Sequence, residues 1–181
     1  ARQAGHKGKC TQLMAEPARK PGVVVAARAL VIHRDHVLLL HAVEPGREYY
    51  FLPGGGLRHG ETLADACARE VKEETGLTVA VLRPLFLREF IAARHRRRPQ
   101  GMPELQHALA MIFLCAVQGD AAQRPPHELG EFRRDTGAAT VQGLRWVPLA
   151  GIAAIEIHPP QVKEALLRGL PQAGIEFWPE S

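Results

Sequence analysis

Glu70, Glu73 and Glu74 fall at i, i+3 and i+4, the spacing that puts side chains on one face of an α-helix. At about 100° per residue, Leu63, Ala64, Cys67, Val71 and Thr75 cluster on a neighbouring face, which must pack on something, most simply a sheet. Glu74 projects within about 50° of the centre of that apolar stripe, and Glu70 lies at its margin. Like charges at i, i+4 cost a helix roughly 0.2–0.5 kcal/mol, and partial burial raises the cost. A solvated acidic face partnered by Arg69 and Lys72 is the plain alternative, and the placement of Glu74 beside the stripe argues against it. Three acids crowded at the edge of a core suit a cation. Hard oxygen ligands favour Mg²⁺, or Mn²⁺, over zinc.

The elements that must position these acids are legible around them. Thr62 followed by Asp65 is a capping-box pattern, and Gly76 with Leu77 reads as a glycine C-terminus with its hydrophobic contact. The predicted helix therefore runs from Leu63 to Thr75. Before it stands the run Gly54-Gly55-Gly56, where backbone can approach a phosphate or metal closely.

The stretch from Gly55 to Leu77 matches G-x5-E-x7-R-E-U-x-E-E-x-G-U, with U a bulky aliphatic residue, at every specified position: Gly55, Glu61, Arg69, Glu70, Val71, Glu73, Glu74, Gly76 and Leu77. A chance match in a chain this long is rarer than roughly one in a million. The pattern resembles the Nudix box, and the flanking order of elements extends the resemblance to most of the chain from Gly22 onward. The resemblance implies a divalent-metal hydrolase that cleaves a phosphoanhydride bond in a nucleoside diphosphate linked to another group. It implies metal ligation by Glu70, Glu73, Glu74 and the carbonyl of Gly54. It gives Glu70 or Glu73 a part in catalysis, with Arg69 orienting the glutamates and Glu61 pairing with Arg69. Members differ in which carboxylate is the base, so Glu89, Glu104, Glu128 and Glu131 also stand as candidates. Nucleoside triphosphates, nucleotide sugars and dinucleoside polyphosphates are all open as substrates. An RNA 5′-end pyrophosphohydrolase and a non-catalytic nucleotide-sensing module are competing readings on the same fold.

Val23 to Ile32 reads as a buried strand, His33 to His36 as a hairpin turn, Val37 to Val43 as the return strand, and Tyr49 to Leu52 as a brief strand. One of Tyr49, Tyr50 and Phe51 is placed to stack on a base; the plainer reading has them fill the core. Thr78 to Ala92 is strand-like and broken by Pro84. Leu105 to Val117 alternates, with Leu105, His107, Leu109, Met111, Phe113 and Cys115 on one face. There His107 reads either as a satisfied core histidine or as a ligand. Arg94 to Arg98 is a basic hairpin tip, solvated or gripping phosphate. Residues 118–143 form a long irregular stretch that could act as a lid. Leu144 to Leu149 reads as the last strand, Pro160 to Arg168 as a final helix ending at Gly169, and Phe177-Trp178 as an apolar pair that packs on the domain. The order of elements gives an α/β (α+β) class with a mixed β-sheet and helices on its faces. The resemblance implies the α/β/α sandwich.

At 181 residues, with 46% apolar and 23% charged residues, the chain suits one globular domain over residues 22–181 preceded by a flexible basic arm over 1–21. The net charge of +4 fits an anionic small-molecule substrate and is too small to argue for nucleic acid. No apolar run approaches the roughly 18 residues of a membrane span. Cys67 and Cys115 fall in apolar runs and read as reduced core residues, and with no apolar leader segment a cytoplasmic setting is expected. A homodimer is the expected oligomeric state, since dimers are common in the family and among soluble proteins.

Overall fold

A computed structural model describes residues 22–95, 106–128 and 140–180. Nine strands and two α-helices appear among them: β1 (Val23–His33), β2 (His36–Glu44), β3 (Arg47–Phe51), β4 (Gly54–Gly56), α1 (Leu63–Thr75), β5 (Val79–Ile91), β6 (His107–Val117), β7 (Thr140–Pro148), β8 (Ile157–His158), α2 (Pro160–Arg168) and β9 (Glu176–Trp178). The strands make one mixed sheet in the order β8-β3-β2-β1-β6-β5-β9, with β4 added to β1 and β7 to β2. β1 is the spine. It pairs parallel with β6 from Val23↔His107 to Val31↔Cys115, antiparallel with β2 at its end, and antiparallel with β4 at Ala26↔Gly56, Ala27↔Gly55 and Arg28↔Gly54.

Alternation along β1 and β6 divides the core in two. Ala27, Ala29, Val31, Phe113 and Cys115 face α1, where Ala66, Cys67 and Val71 are wholly buried. Leu30, Ile112 and Phe86 face the opposite side, where Val162 and Ala165 of α2 cover them. The result is the expected α/β/α sandwich with a mixed sheet. Cys67 and Cys115 are both free thiols whose sulfurs lie 3.8 Å apart across the α1–β6 contact. The hydrogen bond to Cys67 and then burial push the Cys115 thiol pKa far up, so the Cys115 sulfur is not a ready nucleophile.

The structure corrects the sequence reading in several places. Val23, Val24 and Val25 are not buried but 51%, 41% and 39% exposed, because the sheet is covered by α1 only from Ala27 on. Pro84 does not break β5. It stands between two register shifts, at Val81/Arg83 and Pro84/Phe86, so its missing N–H falls where the ladder is already irregular. β7 begins at Thr140, and it is not the last strand. β8 pairs with β3 and β9 with β5, both too short to show periodicity in sequence. Within the terminal pair, Trp178 is buried and stacks on Phe86 at 4.0 Å, whereas Phe177 is 55% exposed. Ala64 is exposed and Ala66 is buried in its place. The segment 1–21, the arginines Arg96, Arg97 and Arg98, and residues 129–139 of the long irregular stretch lie outside the described residues. No described helix is long and apolar enough to cross a membrane.

Candidate active site

The site is assembled where α1 backs onto the glycine strand β4. The helix is set at both ends as its sequence requires. Thr62 accepts the Asp65 N–H at 3.1 Å, and Gly76 takes a left-handed φ of 71° while donating its N–H to the Lys72 carbonyl. With those ends fixed, Glu70 and Glu74 turn toward β4, and Glu73 toward solvent.

Gly54 and Gly55 are needed for that approach. A Cβ on Gly55 would lie 2.5 Å from the Glu70 carboxyl carbon, and one on Gly54 would meet the Ala27 carbonyl oxygen at 2.2 Å. Gly54 also adopts φ 132°, closed to ordinary side chains. Its N–H donates to Glu74 Oε2 at 2.8 Å, which holds that half-buried carboxylate against the strand.

Arg69 organises the other acids. Its Nε and Nη2 donate to the two oxygens of Glu61 at 2.7 and 3.0 Å. Its Nη1 donates to Glu70 at 2.7 Å and Glu73 at 3.1 Å, and Nη2 also reaches the Gly56 carbonyl at 3.1 Å. Those five contacts use the full donor capacity of a guanidinium. Arg69 and Glu61 are only 17% and 14% exposed. The fork–fork pairing, chiefly the hydrogen bonds from Arg69, holds the Glu61 carboxyl down to about 2, and the same carboxylates raise Arg69.

Two participants are absent from the sequence reading. Arg58 donates to Glu73 at 3.0 Å, and its backbone N–H donates to Glu61. Arg28, on β1 opposite Gly54, donates from Nη1 to the Gly54 carbonyl, within the fields of Glu74 and Glu70. Arg28 is half-buried, and desolvation lowers its pKa more than those two acids raise it. A lone charge inside the apolar run of β1 was its visible signal. Arg58, in a loop, carried none.

Of the candidate bases outside the box, Glu89 lies 3.0 Å from His107 Nε2, each half-buried, so His107 is a partnered histidine. Glu128 is exposed and faces Arg124 at 3.7 Å. Glu104 and Glu131 lie outside the described residues. Tyr49 is buried with its hydroxyl on Glu44, and Tyr50 stacks on His41 at 4.8 Å, so neither ring is free for a base.

Among the described residues no three acidic, histidine or cysteine groups are gathered tightly enough to enclose an ion. Glu70 and Glu73 are drawn toward Arg69 and Arg58, and Glu74 toward Gly54. The donor set nonetheless suits a hard cation. All its atoms are oxygens, and a positive group, the Arg28 guanidinium, already lies against the Gly54 carbonyl beside Glu70 and Glu74.

Comparison with known proteins follows the same line. The family model described as NUDIX domain matches residues 23–167. An ADP-ribose pyrophosphatase from Methanocaldococcus jannaschii is 33% identical over 91 residues, 49% of this chain and 48% of that protein. The chain thus matches about half the length of that curated relative. A NUDIX hydrolase from Nitrosomonas europaea superposes with a TM-score of 0.56 at 23% identity, over 81% of this chain and 87% of that one. An ADP-ribose pyrophosphatase from Streptococcus suis superposes with a TM-score of 0.54 at 19% identity, over 86% and 99%. At these identities the two structural likenesses speak for the fold.

Proposed function

The chain belongs to the Nudix family, and on that premise we propose that it hydrolyses a phosphoanhydride bond in a small nucleoside diphosphate derivative. The observation that carries this reading is the pair of anchors on the acids: Arg69 spans Glu61, Glu70 and Glu73, while Gly54 N–H fixes Glu74. Such anchoring fixes charged side chains before substrate arrives, and preorganised charge is what phosphoryl chemistry asks of a protein.

Glu70, Glu74 and the Gly54 carbonyl would hold a divalent ion, Mg²⁺ or Mn²⁺, with Glu73 alongside. When bound, such an ion neutralises phosphate oxygens and makes water more acidic. The chain's own part is to orient these oxygens through Arg69 and to accept the proton of the attacking water on a box carboxylate, Glu70 or Glu73. Glu70 and Glu73 share α1 with Glu74, whereas Glu89 stands on β5 and Glu128 beyond β6, which favours the box carboxylates. Among substrate classes, a nucleotide sugar of the ADP-ribose type has the support of the relative from M. jannaschii.

The test is Glu74→Gln, assayed for phosphate release from nucleotide sugars, nucleoside triphosphates and dinucleoside polyphosphates with Mg²⁺. The amide oxygen can still accept the Gly54 N–H, so the fold should survive. The expected result is a fall in kcat of about 10²–10³-fold, the scale of losing one preorganised electrostatic group. Near-wild-type turnover at saturating Mg²⁺ would remove Glu74 from the site.

A further inference from the structure

Among the arginines described at the site, Arg58 is the one that the fold leaves in solvent. Its side chain is 62% exposed, against 17% for Arg69. The backbone beneath it is fixed. Its N–H donates to Glu61 Oε2 at 3.1 Å, and its carbonyl accepts the Glu61 N–H at 3.2 Å, closing a turn in which Gly60 takes a φ of 79°. The guanidinium has a single hydrogen-bonding partner among the described residues, Glu73. Nη2 donates to Oε1 at 3.0 Å and to Oε2 at 3.3 Å. A pinned root and a solvated head let this side chain leave its partner without disturbing the loop.

Glu73 is the matching exception among the acids of α1. Glu70 is held by Arg69 against Gly55, and Glu74 by the Gly54 N–H. Glu73 is 44% exposed, and both its oxygens accept from guanidinium groups, with Arg69 Nη1 at 3.1 Å joining Arg58. Arg69 cannot leave, because the same guanidinium holds Glu61 and Glu70. Arg58 can. Charge points the same way. Glu61, Glu70, Glu73 and Glu74 bring four negative charges, and Arg28, Arg58 and Arg69 bring three positive ones. With Arg58 in place the negative excess is one; with Arg58 swung away it is two, the charge of a divalent ion. Arg58 and such an ion are alternatives on Glu73, because they draw on the same oxygen lone pairs and repel each other at contact distance.

We infer that Arg58 is an internal counter-ion of Glu73: it stands on that carboxylate until a divalent ion displaces it, and so raises the concentration of ion that the site needs. An exposed ion pair is weak and screened by salt, so the contact sets a threshold and not a block. This inference rests on the hydrolase reading for the presence of a divalent ion at the acids.

Equilibrium binding of Mn²⁺ to the full chain without nucleotide tests it, with free Mn²⁺ counted by its electron paramagnetic resonance signal. Arg58→Gln should bind Mn²⁺ about two- to fivefold more tightly than wild type, the weight of one exposed ion pair. Arg58→Lys keeps the charge and should stay close to wild type. Added salt should shrink the difference between wild type and Arg58→Gln. In a Glu73→Gln background the gain should vanish, because the counter-ion there has no charge to cover. A gain of the same size in that background is a long-range effect of the arginine and overturns the pairing. In the Mg²⁺ assay Arg58→Gln should reach half-maximal turnover at a lower Mg²⁺ concentration. Unchanged Mn²⁺ affinity in folded Arg58→Gln overturns the counter-ion role. Weaker binding does so too, since it would make Arg58 a support that holds Glu73 ready for the ion. If that variant does not fold, Arg58→Ala is read by the same outcomes. No Mn²⁺ binding to wild type also overturns it. If wild type turns over nucleotides with Mg²⁺ while the variants bind Mn²⁺ alike, the hydrolase reading stands without the counter-ion. If Arg58→Gln tightens Mn²⁺ binding and wild type hydrolyses no nucleotide, the counter-ion stands without that reading.

Discussion

Replacing Gly55 by alanine would introduce one methyl group 2.5–2.6 Å from the three carboxylate atoms of Glu70. Ordinary contact begins at 3.4 Å, so the carboxylate must retreat by about 0.9 Å. The backbone at Gly55 lies outside the left-handed region and tolerates alanine, and the atoms that must yield are the far end of a flexible side chain. The cost to stability should therefore be that of one off-rotamer side chain, about 0.5–1.5 kcal/mol. The cost to catalysis should be larger. A displacement near 1 Å in a reacting constellation lowers rates by about 10²-fold. The assay is nucleotide hydrolysis under saturating Mg²⁺ alongside thermal unfolding of the same sample. Gly54→Ala is the contrast: its methyl would strike the Ala27 carbonyl oxygen and the Arg28 Cα, and φ 132° is strained for any side chain, so that variant should lose stability as well. A Gly55→Ala enzyme that unfolds like wild type and keeps more than half its kcat would show that Glu70 need not sit where β4 places it.

Acid stability should carry the mark of Glu61. Its carboxyl is held at about 2 in the fold against 4.5 as the ordinary value, so folding favours the ionised form. That contribution is complete above about pH 4.5 and drains away as the pH falls toward 2. Glu61→Gln should flatten the melting temperature against pH across that window, and parallel curves for the two proteins would rule the pairing out as its source. Thr62→Ala should cost about 1 kcal/mol by freeing the Asp65 N–H at the helix start. Because that cap is two turns from Glu70, urea denaturation should register the change while kcat does not.

The helix and its ends could be read from sequence because caps are local: Thr62, Asp65 and Gly76 act on backbone within a few residues of themselves. The arc that α1 buries could not. It runs from Ala66 round to Thr75, about 180° of the helix, and takes in Glu70 and Glu74. An apolar stripe centred near Val71 misses that rotation, because one wall of the groove is β4, three glycines with no side chains to signal contact. Ala64, on the predicted stripe, projects from the first turn and stays exposed. Arg28 shows the converse failure. Its charge was visible inside an apolar run, but only pairing with β4 reveals what it faces. Strands β8 and β9, of two and three residues, carry too little pattern to be seen at all.

The parallel pairing of β1 with β6 also sets an order of events during folding. Val23 and His107 are 84 residues apart, and closing a loop of that length costs about 4 kcal/mol of chain entropy before any contact repays it. The capped helix between them needs only neighbours along the chain, yet at 13 residues it is marginal in isolation. The acids can therefore line up briefly on a nascent helix long before the sheet beneath exists. Their anchor at Gly54 waits for β4 to pair with β1, the strand that β6 then flanks. A ribosome-bound chain ending short of His107 would carry every residue of the motif, with β1 and β4 but without the β6 strand that completes the sheet beneath α1.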